Sequence, residues 1–287
     1  MTLLVRNEAD IIRDVIEYHI SRGVDHFIVT DNGSDDGTVE IIEEYKRAGL
    51  AELIHETEDN YAQAEWVTRM ALAARERLGA DWIINSDADE FWYHPSGSLK
   101  AVCAGHSETL LRLRRRNMLP PLAGEYSERA SALSSMKLAV VTPQFESSRE
   151  NLDHYMLMRL GPKVVCRAAG LLSVAQGNHD GHYSHDKIVS DADNARIYHY
   201  PIRSYSQFER KVIQGGEALA RNSSLPIGSG YHWRSWYELY RRGELRPYYD
   251  HMVLSAVTRR TLLGKGVLQE DQTMAQAIFR RRGEAAY

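Results

Sequence analysis

The chain has 287 residues, 43% of them apolar and 26% charged, with a net charge of −4 at neutral pH. That length holds one large domain or a domain with a lobe, and the mild acidity speaks against a general nucleic-acid binder. Two cysteines, Cys103 and Cys166, make neither a disulfide framework nor a zinc pattern, and no apolar run is long enough to span a bilayer. The first residues lack a signal-peptide layout, because Arg6, Glu8 and Asp10 interrupt the apolar stretch, so the expected compartment is the cytoplasm. Two basic runs, Arg112-Leu-Arg114-Arg115-Arg116 and Arg280-Arg281-Arg282, read as solvated faces. Their second reading, an anion or membrane-surface site, leaves peripheral contact with the inner face of a membrane open.

The first ninety residues alternate strand and helix. Leu3–Val5 is a short apolar strand. Asn7 reads as a helix N-cap with Asp10 three residues on, followed by Ile11, Ile12, Val15, Ile16, His19 and Ile20 at helical spacing, and Gly23 ends that helix. Phe27–Val29 is the second strand, Asp31–Gly37 a turn-rich loop, and Thr38–Arg47 a second helix. Leu53-Ile54 marks a third strand, Tyr61–Leu78 a long helix, and Asp81–Ser86 a fourth strand. Strands alternating with helices imply an α/β fold with a mainly parallel sheet flanked by helices and joined by right-handed crossovers. Ligands of such sheets bind outside the carboxyl ends of the strands, where Asn7, Asp31 and Asp87 all fall.

Further on the pattern is less regular. Strands are expected at Leu110–Leu113, Lys137–Val141, Tyr155–Leu160, Lys163–Arg167 and Ala195–Tyr200, with a loop over Asn117–Ser135 and a histidine-rich polar loop over Gly177–Asp186. Ser206-x-x-Glu209 reads as a capping box opening a helix, and the Trp- and Tyr-rich stretch from Tyr231 reads as further helices.

Asp87-Ala-Asp89 closes the apolar strand Asp81-Trp-Ile-Ile-Asn-Ser and is followed by Glu90-Phe-Trp92. Two carboxylates one residue apart at a strand end suit a hard divalent cation, Mg²⁺ or Mn²⁺, that keeps positions open for substrate phosphates. About one such tripeptide arises by chance in a chain this rich in Asp. Asp191-Ala-Asp193 is indeed a second copy, and its context reads as a turn.

The ordered motifs Leu3-Leu-Val-Arg6-Asn7-Glu8-Ala-Asp10, Glu17-Tyr-His19, Gly23-Val-Asp-His-Phe27, Asp31-Asn-Gly-Ser-Asp-Asp-Gly-Thr38 and Asp81–Phe91 resemble a GT-A glycosyltransferase. More narrowly they are similar to the family 2-like group related to family 92. Ile197-Tyr-His199-Tyr-Pro-x-Arg203-Ser-x-x-Gln-Phe208-x-x-Lys211-Val212 carries the same likeness. The resemblance implies one GT-A catalytic domain over 1–287: a nucleotide-binding half (1–95), an acceptor half (96–220) and a helical C-terminal extension (221–287). It implies transfer of a sugar from a nucleotide-diphosphate sugar, with UDP favoured, to the hydroxyl of an unidentified sugar or glycolipid acceptor. Inversion, Mn²⁺ or Mg²⁺ dependence and a place in cell-surface polysaccharide or glycoconjugate synthesis belong to the same implication.

Residue by residue, the resemblance makes Asn7, Glu8, Asp31 and Asp87 the nucleotide-sugar contacts and Asp87, Asp89 and His179 the metal ligands. Asn7 is also readable as a cap, and Asp31 as the first residue of a turn. Asp180 is the expected base of an inverting displacement, with Asp153 and Glu146 behind it. A separate zinc site from His179, His182 and His185 is a minor alternative. Lys163, Arg203 and Lys211 are candidate diphosphate contacts or ordinary charges. Tyr231, Trp233, Trp236, Tyr237 and Tyr240 read as helix core, or as an acceptor platform. Two other classes stay open, a nucleotidyltransferase and a non-catalytic nucleotide-sugar-binding protein. The absence of a Gly-rich basic loop after the first strand counts against the first, and the intact acidic motifs count against the second.

Overall fold

The computed structural model describes residues 1–58, 62–122, 132–221 and 230–282. In chain order the elements begin with β1 (Thr2–Val5), α1 (Ile12–Ser21), β2 (Phe27–Asp31), α2 (Thr38–Arg47), β3 (Ala51–His55), α3 (Gln63–Leu78), β4 (Trp82–Asp87) and β5 (Glu90–Tyr93). Then come α4 (Lys100–Cys103), β6 (Leu110–Leu119), α5 (Ala132–Ser135), β7 (Leu138–Val140), β8 (Phe145–Glu146), a 3-10 segment (Leu152–Leu157), β9 (Met158–Arg159), β10 (Lys163–Arg167) and β11 (Leu171–Val174). A 3-10 turn (Gln176–Asn178), β12 (Gly181–Tyr183) and β13 (Val189–His199) follow. The C-terminal part is mostly helical: α6 (Tyr205–Arg221), α7 (Tyr231–Arg241), α8 (Leu245–Met252), α9 (Ala256–Gly264), β14 (Leu268–Glu270) and α10 (Thr273–Arg282).

Two compact units divide the chain, the first built from 1–58, 62–115 and 161–198, the second from 116–160 and 199 onward. In the first, β3, β2, β1 and β4 lie side by side and parallel, and β10 then pairs antiparallel with both β4 and β6. Both faces of this sheet are covered, as parallel sheets require. On one face Val67, Met70, Ala71 and Ala74 of α3 pack with Ile28, Ile83, Leu110, Val164 and Cys166. On the other, Leu111, Leu113 and Val165 pack with Trp92, Leu99, Val102 and Ile197. The period-2 alternation of strands explains why Leu110 and Leu111, or Val164 and Val165, serve opposite faces. In the second unit Phe208, Val212, Trp236, Leu245, Tyr249 and Met252 centre one apolar cluster. Gly215 and Gly216 let α6 and α7 approach closely: a Cβ at Gly215 would stand 3.0 Å from Trp233, and one at Gly216 would collide with the Tyr237 ring. Trp233 and Tyr237 thus serve helix packing, and Trp236 is buried.

Several expected elements shift. Asn7 does not cap α1; the cap is Ile11, and the Glu8 carbonyl accepts from the Ile11 and Ile12 amides instead. The capping box opens α6 two residues early, because Ser204 Oγ accepts from the Gln207 amide and Gln207 Oε1 accepts from the Arg203 amide. Tyr155–Leu160 is not a strand but the end of a 3-10 segment followed by the two-residue β9. β6 runs on to Leu119, past the expected end at Leu113. Within the expected loop 117–135, residues 123–131 lie outside the described residues, as does Tyr61. Asp191-Ala-Asp193 is not a turn; it lies inside β13, with Ala192 turned into the core. Among the described residues no helix is long and apolar enough to cross a membrane.

Candidate functional site

Asn7, Glu8, Asp31, Asp87, Asp89, His179 and Asp180 fall in the first unit, at the carboxyl ends of its parallel strands and on the segment after β11, whereas the reserve bases Glu146 and Asp153 and the candidate diphosphate contacts Arg203 and Lys211 fall in the second. Register places Val5 opposite Asp31 and Leu4 opposite Asp87 on the two flanks of β1. Two strand spacings separate the acidic tips of β2 and β4, on the order of 10 Å.

The loop after β1 is built by its own polar groups. Asn7 takes a left-handed backbone, φ 55°, and is buried. Its Oδ1 accepts from the Asp35 amide at 2.8 Å, and its own amide donates to Ser34 Oγ at 2.9 Å. The Glu8 amide donates to Thr38 Oγ1, while Asp36 accepts from the Thr38 and Ala9 amides. Asp36 is therefore committed to holding the loop. Asp31, 3% exposed, accepts from the Ser34 amide through Oδ2, whereas its Oδ1 is buried without a hydrogen-bond partner. Asn7 Nδ2 is likewise buried and unpartnered. A buried polar group left unpaired is unfavourable, so an orphan donor and an orphan acceptor at adjacent strand tips suit a polar ligand.

The Asp87-Ala-Asp89 turn between β4 and β5 is clamped from three sides. Trp92 Nε1 donates to Ser86 Oγ at 2.8 Å. The Trp92 amide donates to Nε2 of the fully buried His19, whose Nδ1–H donates to the Val15 carbonyl. The Asp87 amide donates to Glu90 Oε2. Burial holds His19 neutral, with its pKa pushed down to about 3 although the Val15 bond pulls the other way. Phe91 and Trp92, both fully buried, are core residues.

β10 pairs Val165 with Ile84, so Lys163 comes level with the tip of β4. Its side chain is 1% exposed, and Nζ lies 2.5 Å from Asp87 Oδ2 and 3.5 Å from Glu90 Oε1. Arg115 approaches the same Glu90 oxygen at 3.5 Å and donates to the Gly161 carbonyl. Arg115 is thus a site residue, while Arg112 of the same basic run stays exposed. Asn178 Nδ2 donates to Asp87 Oδ1 at 3.1 Å. Asn178 and Gly177 both have left-handed backbones, φ 59° and 74°. Burial pushes the Glu90 carboxyl up to about 7, against the pull of Lys163.

His179 follows Asn178. Its Nδ1–H donates to the Pro162 carbonyl at 2.6 Å, which leaves the lone pair on Nε2. Partial desolvation of the ring, which still reaches solvent, and the nearby Arg115 and Lys163 charges lower its pKa to about 4, so the imidazole is neutral near pH 7. Metal-binding histidines usually hold their second ring nitrogen in this way. Asp180 is ion-paired with Lys187 at 2.5 Å and accepts from the Gly181 amide. Burial acts to raise its pKa, but the Lys187 and Gly181 bonds together with the Lys187 and His182 charges outweigh that and hold the carboxyl below its ordinary value.

A divalent cation fits the oxygen chemistry of the β4 tip. Asp87 keeps 31% of its side chain exposed, and the acceptor oxygens Glu90 Oε1 and Asn178 Oδ1 lack hydrogen-bond donors. Among the described residues no three His, Cys, Asp or Glu side chains are gathered to hold an ion, so a metal here relies on ligands from its substrate or water. The same holds for the trio His179, His182 and His185. The second Asp-Ala-Asp carries Asp191 in an exposed ion pair with Arg112 at 2.8 Å.

Sequence reasoning passed over Asn178 and Ser34 and left Lys163 undecided. An isolated lysine inside the apolar strand Lys163-Val-Val-Cys was the available signal.

A glycosyltransferase family 92 protein of Ricinus communis is 30% identical over 112 residues, covering 36% of this chain and 19% of that protein. One of Oryza sativa subsp. japonica is 23% identical over 218 residues, covering 69% of this chain and 35% of that protein. The chain therefore spans only about a fifth to a third of the length of these curated relatives. Among solved structures, S. aureus TarS 1-349 in complex with UDP-GlcNAc is 12% identical with a TM-score of 0.41, over 100% of this chain and 92% of that one. Glucosyl-3-phosphoglycerate synthase from Mycobacterium tuberculosis, in complex with Mn²⁺, UDP-glucose and phosphoglyceric acid, is 16% identical with a TM-score of 0.35, over 78% of this chain and 80% of that one. Both structural likenesses are too slight to bear on function. The model of glycosyltransferase family 92 matches residues 2–169, more than half of the sequence, and the chain belongs to that family.

Proposed function

We propose that the protein transfers a sugar from a nucleotide-diphosphate sugar, a UDP-sugar in the first instance, to an acceptor hydroxyl, within a GT-A type of site. Family membership supports sugar transfer. The observation that carries the donor reading is the row of acidic strand tips, Asp31 on β2 and Asp87–Asp89 after β4, with orphan polar atoms among them. Asp31 Oδ1 accepts from the nucleoside, a role open to an ionised carboxylate, and Asn7 Nδ2 donates beside it. Glu8 lines the same loop. Asp87 would hold Mn²⁺ or Mg²⁺, and Asp89 and Nε2 of His179, which are not gathered around one point as the site stands, would have to be drawn in with the donor. The ion would supply Lewis-acid stabilisation of the diphosphate as it leaves. Asp180 is our candidate for the base that takes the acceptor proton in an inverting displacement. It is ionised as a base must be, and it has to exchange Lys187 for the acceptor hydroxyl.

The test is nucleoside diphosphate release from a panel of nucleotide sugars, with Mn²⁺ and simple sugar or glycolipid acceptors. Release that needs both acceptor and metal, and falls at least 100-fold in Asp180→Asn, fits the reading. Pyrophosphate release from a nucleoside triphosphate would assign nucleotidyl transfer instead. Tight nucleotide-sugar binding with no turnover on any acceptor would favour the binding-protein class.

A further inference from the structure

Lys163 is an unusual neighbour for a carboxylate offered to a metal. It is fully buried, and it lies against Asp87 while the side chain of Asp87 still reaches solvent. The ammonium approaches one carboxylate oxygen at 2.5 Å and Asn178 Nδ2 donates to the other. Lys163 also shares Glu90 Oε1 with Arg115, each at 3.5 Å. Two cations thus stand against the carboxylates of the β4–β5 turn before any ligand arrives.

Resting on the donor reading above, we propose that Lys163 is a resident counter-charge that suppresses binding of a free divalent cation, so that the ion is held only together with a diphosphate. A carboxylate oxygen keeps a second lone pair when it accepts from an ammonium, so Asp87 remains able to ligate. The fixed positive charge a few ångströms away repels a dication, and burial keeps water from screening it. A metal–diphosphate unit carries little net charge and escapes that repulsion. The diphosphate oxygens also supply the ligands that the protein lacks. Lys163 acts through Asp87 and so is a positioning residue.

The experiment is Mn²⁺ binding, followed by calorimetry and by the Mn²⁺ electron paramagnetic resonance signal, with and without UDP. Wild-type protein is expected to bind Mn²⁺ alone only in the millimolar range. Lys163→Met should tighten Mn²⁺ binding in the absence of UDP by about tenfold or more, and change it far less when UDP is saturating. Lys163→Arg, which keeps the charge, should stay within threefold of wild type. Arg115→Gln should move the same way as Lys163→Met but only about threefold, and it serves if the methionine variant loses its near-UV circular dichroism. Micromolar Mn²⁺ binding by the wild type alone overturns the proposal. So does unchanged affinity in whichever of Lys163→Met and Arg115→Gln is folded. Failure of every form to bind Mn²⁺ even with UDP overturns it together with the metal assignment. Asp31-dependent UDP binding in that case would leave the nucleotide reading standing.

Discussion

The tripeptide Asp-Ala-Asp occurs twice, at 87–89 and at 191–193, and the two copies live under different physics. The first is the turn between β4 and β5, at the tip of a parallel strand, with Ala88 and Asp89 buried and Asp87 gripped by Lys163 and Asn178. The second is part of an extended strand, so its carboxylates share one face, and that face is solvent. Asp191 there finds Arg112, both side chains at least 40% exposed. Identical residues thus give a candidate ion site in one place and an ordinary surface pair in the other. What differs is the end of a strand against its middle, and the neighbours brought by register.

The largest expected contrast is catalytic. Asp89→Ala should lower metal-dependent release of nucleoside diphosphate at least 100-fold, whereas Asp193→Ala should stay within twofold. Equal losses in both would erase the distinction between the copies.

A smaller effect should come through the support of the first copy. Gly177 has φ 74°, and a Cβ there would lie 2.8 Å from His179 Cδ2. Gly177→Ala should cost about 1–2 kcal/mol in urea unfolding and weaken UDP–Mn²⁺ binding, because His179 and the Asn178 bond to Asp87 must shift. Gly49→Ala, with φ 74° but nothing within 4 Å, should show backbone strain alone and leave binding untouched.

Acid should also act on the first copy through His19. Its folded pKa is near 3 and its unfolded value about 6.5, so below pH 6.5 the unfolded chain takes up a proton that the folded chain refuses. The stability that neutral His19 contributes is present above pH 6.5 and is lost as the pH falls toward 3. His19→Gln should flatten the wild-type slope of unfolding free energy against pH in that window; an unchanged slope would remove His19 from the account. The smallest effect belongs to the second copy. Asp191→Asn breaks an exposed pair and should change stability by no more than about 0.5 kcal/mol.

What was legible in the sequence follows from range. β1, β2, β4 and the motifs at their tips are local patterns, so Asp31, Asp87 and Asp89 could be placed together from alternation and the rule for parallel sheets. The partners of Asp87 could not. Lys163 is 76 residues away and Asn178 is 91. Only the antiparallel register of β10 on β4, and the left-handed backbone at 177–178, bring them in. Arg115 was hidden for a related reason. Within one basic run the strand sends Arg112 to solvent and Arg115 to Glu90, and composition alone cannot separate them. Caps were misplaced by small margins because Asn7 and Ser206 are good cap formers with better-placed competitors. The Asn7 side chain holds the Asp35 amide, and Ser204 reaches the Gln207 amide first.

The most direct measurement is a crystal grown with UDP and Mn²⁺, with data collected near the manganese absorption edge. An anomalous peak within coordination distance of the Asp87 or Asp89 carboxylate, and the uracil against Asp31, is the expected result. A peak at Asp191 or Asp193, or UDP bound away from the tips of β2 and β4, would contradict it.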